Sequence, residues 1–201
     1  MKIGPKFKIA RRLGAPIFEK TQTAKYAQSL ARKERSGKAF SRPKSEFAQA
    51  LNEKQKARFT YGLSERQFRS YVEKAIRNAN PSQKLFELLE TRLDNVLFRS
   101  GLAKTRSQAR QAATHGHTTV NNRRVTVPSI LLTKGDLVAL RSGSANSPLF
   151  AEATERMKAQ AAPAWLEVNP ESRQVKVVAE PVWDAAQSVF DLGIVIGFYN
   201  R

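Results

Sequence analysis

The chain has 201 residues, 35 Lys and Arg against 17 Asp and Glu, a net charge of +18, and no cysteine. No cysteine excludes disulfides and thiolate metal sites, and no apolar run approaches the roughly 20 residues of a membrane-spanning helix. Such a charge attracts a bilayer surface, an acidic protein or, most commonly, nucleic acid.

Residues 1–44 show no sustained hydrophobic period. Gly4-Pro5, Gly14, Pro16, Gly37 and Pro43 punctuate them, and Lys2, Lys6, Lys8, Arg11 and Arg12 lead a run of cations. The start, MKIGPKFKIARR, lacks an uninterrupted apolar stretch and reads as a basic arm more than a targeting signal. An extended arm that orders on a partner is expected. A solvated tail is the alternative, although Phe7, Ile9, Leu13, Ile17 and Phe18 give a pure tail little use for them.

Ser45 caps a helix through Phe47, Leu51 and Arg58, with Lys54, Lys56 and Arg58 at its basic end, where cations also complement the helix dipole. Tyr61-Gly62 ends it. Ser64 with Gln67 makes a capping box that opens a helix to about Ala79. Phe68, Tyr71, Val72, Ala75 and Ala79 form its apolar face, with Arg66, Arg69 and Arg77 off it. Arg69, Glu73 and Arg77 equally fit a solvated i, i+4 ladder. Pro81-Ser82 starts a further helix with Leu85, Leu88 and Leu89 inward.

Residues 91–127 are the most informative stretch. A helix is expected from Thr91 to Ser100, with Thr91 and Asp94 as a capping box and Leu93, Val96 and Leu97 on one face. Gly101 ends it, and Thr105 caps a second helix with Gln108 at the reciprocal position. Arg106 and Arg110 stand one turn apart, opposite the small residues Ala109 and Ala113. A strand then turns near Asn121-Asn122, since Asn tolerates the positive φ of a tight hairpin, and leaves Arg123 and Arg124 at the rim. Lys104, Arg106, Arg110, Arg123 and Arg124 on so small a unit point to phosphate. Arg92, Thr105, His115 and Asn121 complete the expected RNA-facing set, together with Lys2, Lys6, Lys8, Arg11, Arg12, Lys54, Lys56, Arg58, Arg66 and Arg69.

Val127-Pro128-Ser129 reads as a turn and Leu137–Arg141 as a strand, followed by the small-residue connector 142–148. Phe150 to about Ala161 reads as a helix, and Trp165–Val168 and Gln174–Val178 as strands. The run Ile194–Tyr199 is ambiguous between strand and helix. Charge falls along the chain: residues 1–80 hold 20 Lys/Arg against 6 Asp/Glu, residues 81–140 hold 9 against 4, and residues 141–201 hold 6 against 7. The last part, with Trp165, Trp183, Phe190, Phe198 and Tyr199, suits core or protein contact, and Asp191, Phe198 and Tyr199 are the candidates for a protein partner.

No enzyme is expected, and no catalytic residue, metal or cofactor is assigned. His115-Gly116-His117 has neither Cys partners nor paired carboxylates, whereas zinc usually takes about three or four protein ligands. Arg92-Leu93-Asp94 is similar to the catalytic R-L-D of pseudouridine synthases, yet it lies inside the helical motif, and too little chain follows it for a catalytic domain. Neither a Gly-rich phosphate loop nor a nucleophile elbow is present.

Several segments together resemble the bacterial-type small-subunit ribosomal protein four family. They are Gly4-Pro5-Lys6 with Arg11-Arg12, the stretch Ser45–Arg58, Tyr61-Gly62 with Glu65–Arg69, and Leu88–Gln111 with Val120-Asn121, which is similar to the alpha-L RNA-binding motif. Pro163, Trp165 and Leu166 resemble a motif near the family's C-terminus, and Phe198-Tyr199 with Arg201 its usual ending. The resemblance implies an α+β protein: a helical domain (45–90, joined by 184–201), an inserted alpha-L domain with a small, mostly antiparallel sheet (91–183), and the arm (1–44). It also implies a primary rRNA-binding protein of the small subunit that nucleates assembly of its body and influences translational accuracy in the cytoplasm. The implied partners are small-subunit rRNA, neighbouring proteins, especially small-subunit ribosomal protein five, and the nearby channel by which messenger RNA enters. A free RNA-binding factor or an rRNA-modifying enzyme with the same motif is the alternative. The chain departs from the family in lacking N-terminal cysteines and a P-G-x-x-G element, in Gly197 where Glu is usual, and in Asn122 where the hairpin usually has Gly.

Overall fold

A computed structural model describes residues 3–35, 45–186 and 188–200. Lys2, Gly37, Pro43 and Arg201 lie outside the described residues. In chain order the helices and strands are α1 (Lys6–Leu13), α2 (Ala24–Arg35), α3 (Glu46–Thr60), α4 (Glu65–Ile76), α5 (Pro81–Glu90), α6 (Leu93–Arg99) and α7 (Arg106–Thr114), then β1 (Thr118–Val120), β2 (Arg123–Val125) and β3 (Leu137–Leu140). They end with α8 (Ala153–Ala159), β4 (Leu166–Asn169), β5 (Gln174–Val177) and α9 (Leu192–Tyr199). The chain divides into two compact units, Met1–Leu85 with Trp183–Arg201, and Phe86–Val182. The α+β class is the one expected.

The expected extended arm is instead helical over Lys6–Leu13 and Ala24–Arg35. In the first unit, α1 and α2 carry an apolar cluster of their own. Ala10, Phe18 and Tyr26 are buried, with Phe7, Ile17, Leu30 and Phe59 packed around them. The Phe7 and Tyr26 rings lie 5.3 Å apart, and Phe18 and Phe59 6.2 Å apart. Phe59 belongs to α3, so these helices are packed onto the rest of the unit. The sequence hid them because α1 spans only about two turns before Gly14, whose φ of 71° closes the helix. Over so few residues the 3.6-residue period barely repeats.

The next two helices begin where the sequence places them. Ser45 accepts the Ala48 N–H and Ser64 the Gln67 N–H, both at 3.3 Å. Phe68, Val72 and Ala75 are fully buried, but α4 stops at Ile76 and leaves Ala79 exposed. The ambiguous C-terminal run is helix α9. Asp191 caps it by accepting the N–H groups of Gly193 at 2.7 Å and Ile194 at 3.2 Å. A helix lets Leu192, Val195 and Ile196 share one buried face, and α9 packs against α3 and α4.

In the second unit, α6, α7 and α8 contribute to one core with a five-stranded antiparallel sheet ordered β2-β1-β3-β5-β4. Leu93, Val96, Leu97, Ala109, Ala113, Val138, Phe150 and Val175 are among its buried residues. The β1–β2 hairpin pairs Thr118 with Val125 and turns through Asn121 (φ 49°) and Asn122 (φ 64°), as the Asn pair leads one to expect. Gly101, at φ 81°, ends α6 where a Cβ would stand 3.0 Å from the Met157 Cα, so both backbone and packing demand glycine.

Candidate nucleic-acid interface

Several of the second unit's cations stand on or beside α6 and α7, and the join before α6 sets the geometry of those that do. The expected capping box at Thr91 and Asp94 does not form. Helix α5 runs on to Glu90, and the Thr91 hydroxyl donates to the Glu87 carbonyl at 2.8 Å. Arg92 occupies the N-cap position of α6 without a side-chain cap. The carbonyls of Ile130 and Pro128 accept the N–H groups of Leu93 and Asp94, each at 3.0 Å, in the place a cap would take.

Freed from capping, Asp94 becomes a buried anchor. Arg92 donates to it through Nε and Nη2 at 2.9 and 2.7 Å, and Arg110 through Nε and Nη2 at 3.1 and 2.8 Å. Arg92 is itself 2% exposed, which corrects its expected place at the RNA surface: its guanidinium is used inside the fold. Arg110 and Arg106 lie on the outer side of α7, away from buried Ala109, Ala112 and Ala113. Arg106 donates to the Asn95 Oδ1 at 2.9 Å and lies 4.3 Å over the Phe98 ring. Arg99, which the sequence reading missed, donates twice to Glu90, at 2.9 and 2.8 Å. Glu90 had no visible signal, because its partner lies nine residues away and across a helix break.

The rest of the set is divided between exposed and structural roles. Lys104, Arg123, Arg124 and His115 are exposed. The Arg124 guanidinium lies over Gly116 and donates to the His115 carbonyl at 3.3 Å; a Cβ at Gly116 would collide with it. Thr105 caps α7 by accepting the Gln108 N–H at 3.1 Å, while Gln108 accepts the Lys104 N–H at 2.7 Å. Asn121 braces its own turn: its amide donates to Asp136 at 2.8 Å and its oxygen accepts the Leu137 N–H at 2.9 Å. Asn121 itself stays exposed. Burial pushes the Asp136 carboxyl up, but bonds from Thr133 and Asn121 outweigh it and hold it below the ordinary value of 3.8. His117 is within 2.9 Å of the Ser144 hydroxyl and edge-on to Phe150. Among the described residues no cluster of three potential metal ligands occurs.

In the first unit, Lys8, Arg12 and Arg66 are exposed. Lys6 lies 5.5 Å over the Phe18 ring, and Arg11 donates to the Phe7 carbonyl at 3.2 Å. Arg69 pairs with Glu73 at 2.8 Å on an open surface, the solvated ladder foreseen as its alternative. Of the cations at the basic end of α3 only Lys54 is buried. Lys54 is 6% exposed, donates to Glu65 at 2.7 Å and lies 4.6 Å over Phe198. Lys56 pairs with Glu53 at 2.7 Å, and Arg58 donates to Gln55 at 3.0 Å. All three cations thus have side-chain partners within their own unit.

The C-terminal candidates for a protein partner are also bound within their own unit. Phe198 meets Phe47 at 5.6 Å, Tyr199 donates to Glu65 at 2.7 Å, and Trp183 stacks on Phe190 at 6.0 Å. Burial and the Glu65 carboxylate raise the Tyr199 phenol beyond its ordinary range. Burial pushes Glu65 up as well, but hydrogen bonds from Lys54 and Tyr199 outweigh it and lower the carboxyl below 4.5.

The family model described as ribosomal protein S4/S9 N-terminal domain matches residues 1–90, and the S4 domain model matches residues 91–138. Proteins named small ribosomal subunit protein uS4 are similar across the chain. The one from Persephonella marina is 40% identical over 202 residues, covering 98% of this chain and 98% of its own. That from Roseiflexus castenholzii is 41% identical over 202 residues, covering 99% and 98%. A third, from Pelotomaculum thermopropionicum, is 44% identical over 158 residues, covering 78% and 76%.

Proposed function

We propose a function from the premise that the chain belongs to the small ribosomal subunit protein uS4 family: it is a structural component of the small ribosomal subunit that binds rRNA. The observation that carries this at the level of chemistry is the row of cations along α7. Arg106 and Arg110 stand one turn apart on its outer side, Lys104 precedes it, and Arg124 lies at its end over Gly116. Phosphates that run past one helix meet such a row, and contacts of this kind fix position while carrying no sequence information. Recognition then rests on the shape of a folded RNA junction more than on base edges.

The phosphate-facing set in this reading is Lys6, Lys8, Arg11, Arg12, Arg66, Arg69, Lys104, Arg106, Arg110, His115, Arg123 and Arg124. Arg92 and Lys54 are buried and act inside the fold, whereas Lys56, Arg58, Thr105 and Asn121, part-buried or exposed and bonded within it, stand as further candidates beside that set. The reading extends to primary binding that nucleates assembly of the subunit body, in the cytoplasm and without enzymatic activity. It further includes a place beside small-subunit ribosomal protein five near the messenger channel, and an effect on accuracy. The motifs shared with the family support these finer parts.

Sedimentation of a tagged chain through a sucrose gradient tests the reading. Stoichiometric recovery with small subunits is expected. Recovery mainly as free protein or with large subunits would favour a free RNA-binding factor.

A further inference from the structure

The outer arginines of α6 and α7 are held by acids and an amide that solvent hardly reaches. The Glu90 side chain is 1% exposed and that of Asp94 is 6% exposed, whereas Arg99 and Arg110 are 36% and 27% exposed. Glu90 accepts from Arg99 and from the Asn95 amide, the latter at 2.9 Å, and Asn95 in turn accepts from Arg106. Asp94 accepts from Arg110 and from buried Arg92. Two carboxylates thus fix three partly exposed guanidinium groups, one of them through an amide relay. Four arginines against two acids leave the cluster net positive.

A carboxylate behind a phosphate-binding surface is costly by simple charge, since it repels the ligand. A buried ion pair also contributes little to stability on balance. What it does supply is a fixed geometry. A guanidinium clamped at Nε and Nη2 by one planar acceptor has lost its rotamer freedom before any ligand arrives, so less is lost on binding. We infer that Glu90 and Asp94 are positioning residues for RNA, which preorganise Arg99, Arg106 and Arg110 to meet phosphates of a folded RNA. The inference rests on the rRNA-binding reading above and adds to it two residues of the opposite charge to any expected there. Placing carboxylates behind a rigid cation set favours RNA whose phosphates already match that spacing over flexible single strands.

The two possible roles of the acids give opposite signs. Asp94→Asn keeps the shape of the side chain and raises the net charge by one. If Asp94 only sits among the cations, its removal tightens RNA binding and steepens the salt dependence. If it positions them, binding to small-subunit rRNA weakens about tenfold despite the added positive charge, and the salt slope flattens. The full chain and its variant are compared by filter binding, with the folded fraction of each set by circular dichroism. Glu90→Gln, acting through Arg99 and Asn95, is the second variant and keeps the question open to refutation should Asp94→Asn not fold. Loss of rRNA affinity by folded variant, with affinity for a single-stranded oligo(U) little changed, is the expected result. Unchanged or tighter rRNA binding by a folded variant, while the parent chain binds well, would overturn the inference alone. Failure of the parent chain to bind small-subunit rRNA would instead remove the reading beneath it, and the inference with it.

Discussion

On α1 Lys8 and Arg12 stand exposed to solvent, whereas around α6 and α7 the arginines are tied down: Arg99 by Glu90, Arg106 by Asn95 and Arg110 by Asp94, all within 3.1 Å. Cations of the first kind lend charge with a loose geometry, so their effect is long-ranged and screened by salt. Cations of the second kind lend geometry, and their removal must disturb the fold as well as the ligand. The same residue type therefore does two jobs in one chain, and what separates them is whether a buried acceptor stands behind the guanidinium.

The largest test of that contrast is Asp94→Leu. It leaves Arg92 buried and without its bidentate acceptor, and the unfolding free energy is expected to fall by about 3–5 kcal/mol in urea titration. Lys8→Ala should stay within about 0.5 kcal/mol in the same assay. Similar losses in the two variants would erase the distinction.

Next in size is the pair Arg106→Ala with Arg110→Ala. Loss of two charge-assisted contacts should weaken rRNA binding by roughly 2–4 kcal/mol, after a discount for their partial exposure. The sequence alone suggests that such a change spares stability. The bonds to Asn95 and Asp94 make a lower melting temperature the expected companion, and an unchanged one would show that those bonds are dispensable. The matching pair Lys8→Ala with Arg12→Ala should leave melting unaltered and reduce the salt slope of binding by up to about 2. These point changes sharpen the comparison better than removal of residues 1–44, which would take away the apolar cluster of α1 and α2 and uncover Phe59 on α3.

The smallest effect concerns pH in the first unit. Glu65 is held below its ordinary value of 4.5 by Lys54 and Tyr199 against the opposing effect of burial. A lowered carboxyl contributes stability above its unfolded pKa and loses it as pH falls through the folded one. Stability should therefore fall on acidification below about pH 4.5, and Glu65→Gln should flatten that limb of the curve. An identical acid limb in the variant would show that other carboxylates carry it.

The helices and hairpin of residues 45–127 were legible because their signals are local: Ser45 and Ser64 cap at short range, the apolar face of α4 repeats over three turns, and Asn121-Asn122 dictates its own turn. The N-terminal helices were not, because Phe18 and Tyr26 declare their partner only once Phe59 arrives from α3. Of the candidate site, the outward side of α7 was visible in the spacing of Arg106 and Arg110. Which cations face water was not. Lys54 and Arg92 look like any surface cation until Glu65 and Asp94 are seen beside them. Thr91 and Asp94 fit the capping pattern, but α5 ran on and the Pro128–Ile130 backbone satisfied the helix start in their place.

The claim at the centre of this account is that the chain grips rRNA through phosphate, and the salt dependence of binding tests it most directly. The logarithm of affinity of the full chain for small-subunit rRNA is plotted against the logarithm of salt concentration, with folding verified at each point. Displacement of even six condensed counterions gives a slope of about −4 to −5. A slope near zero, from a protein folded throughout, would contradict the account.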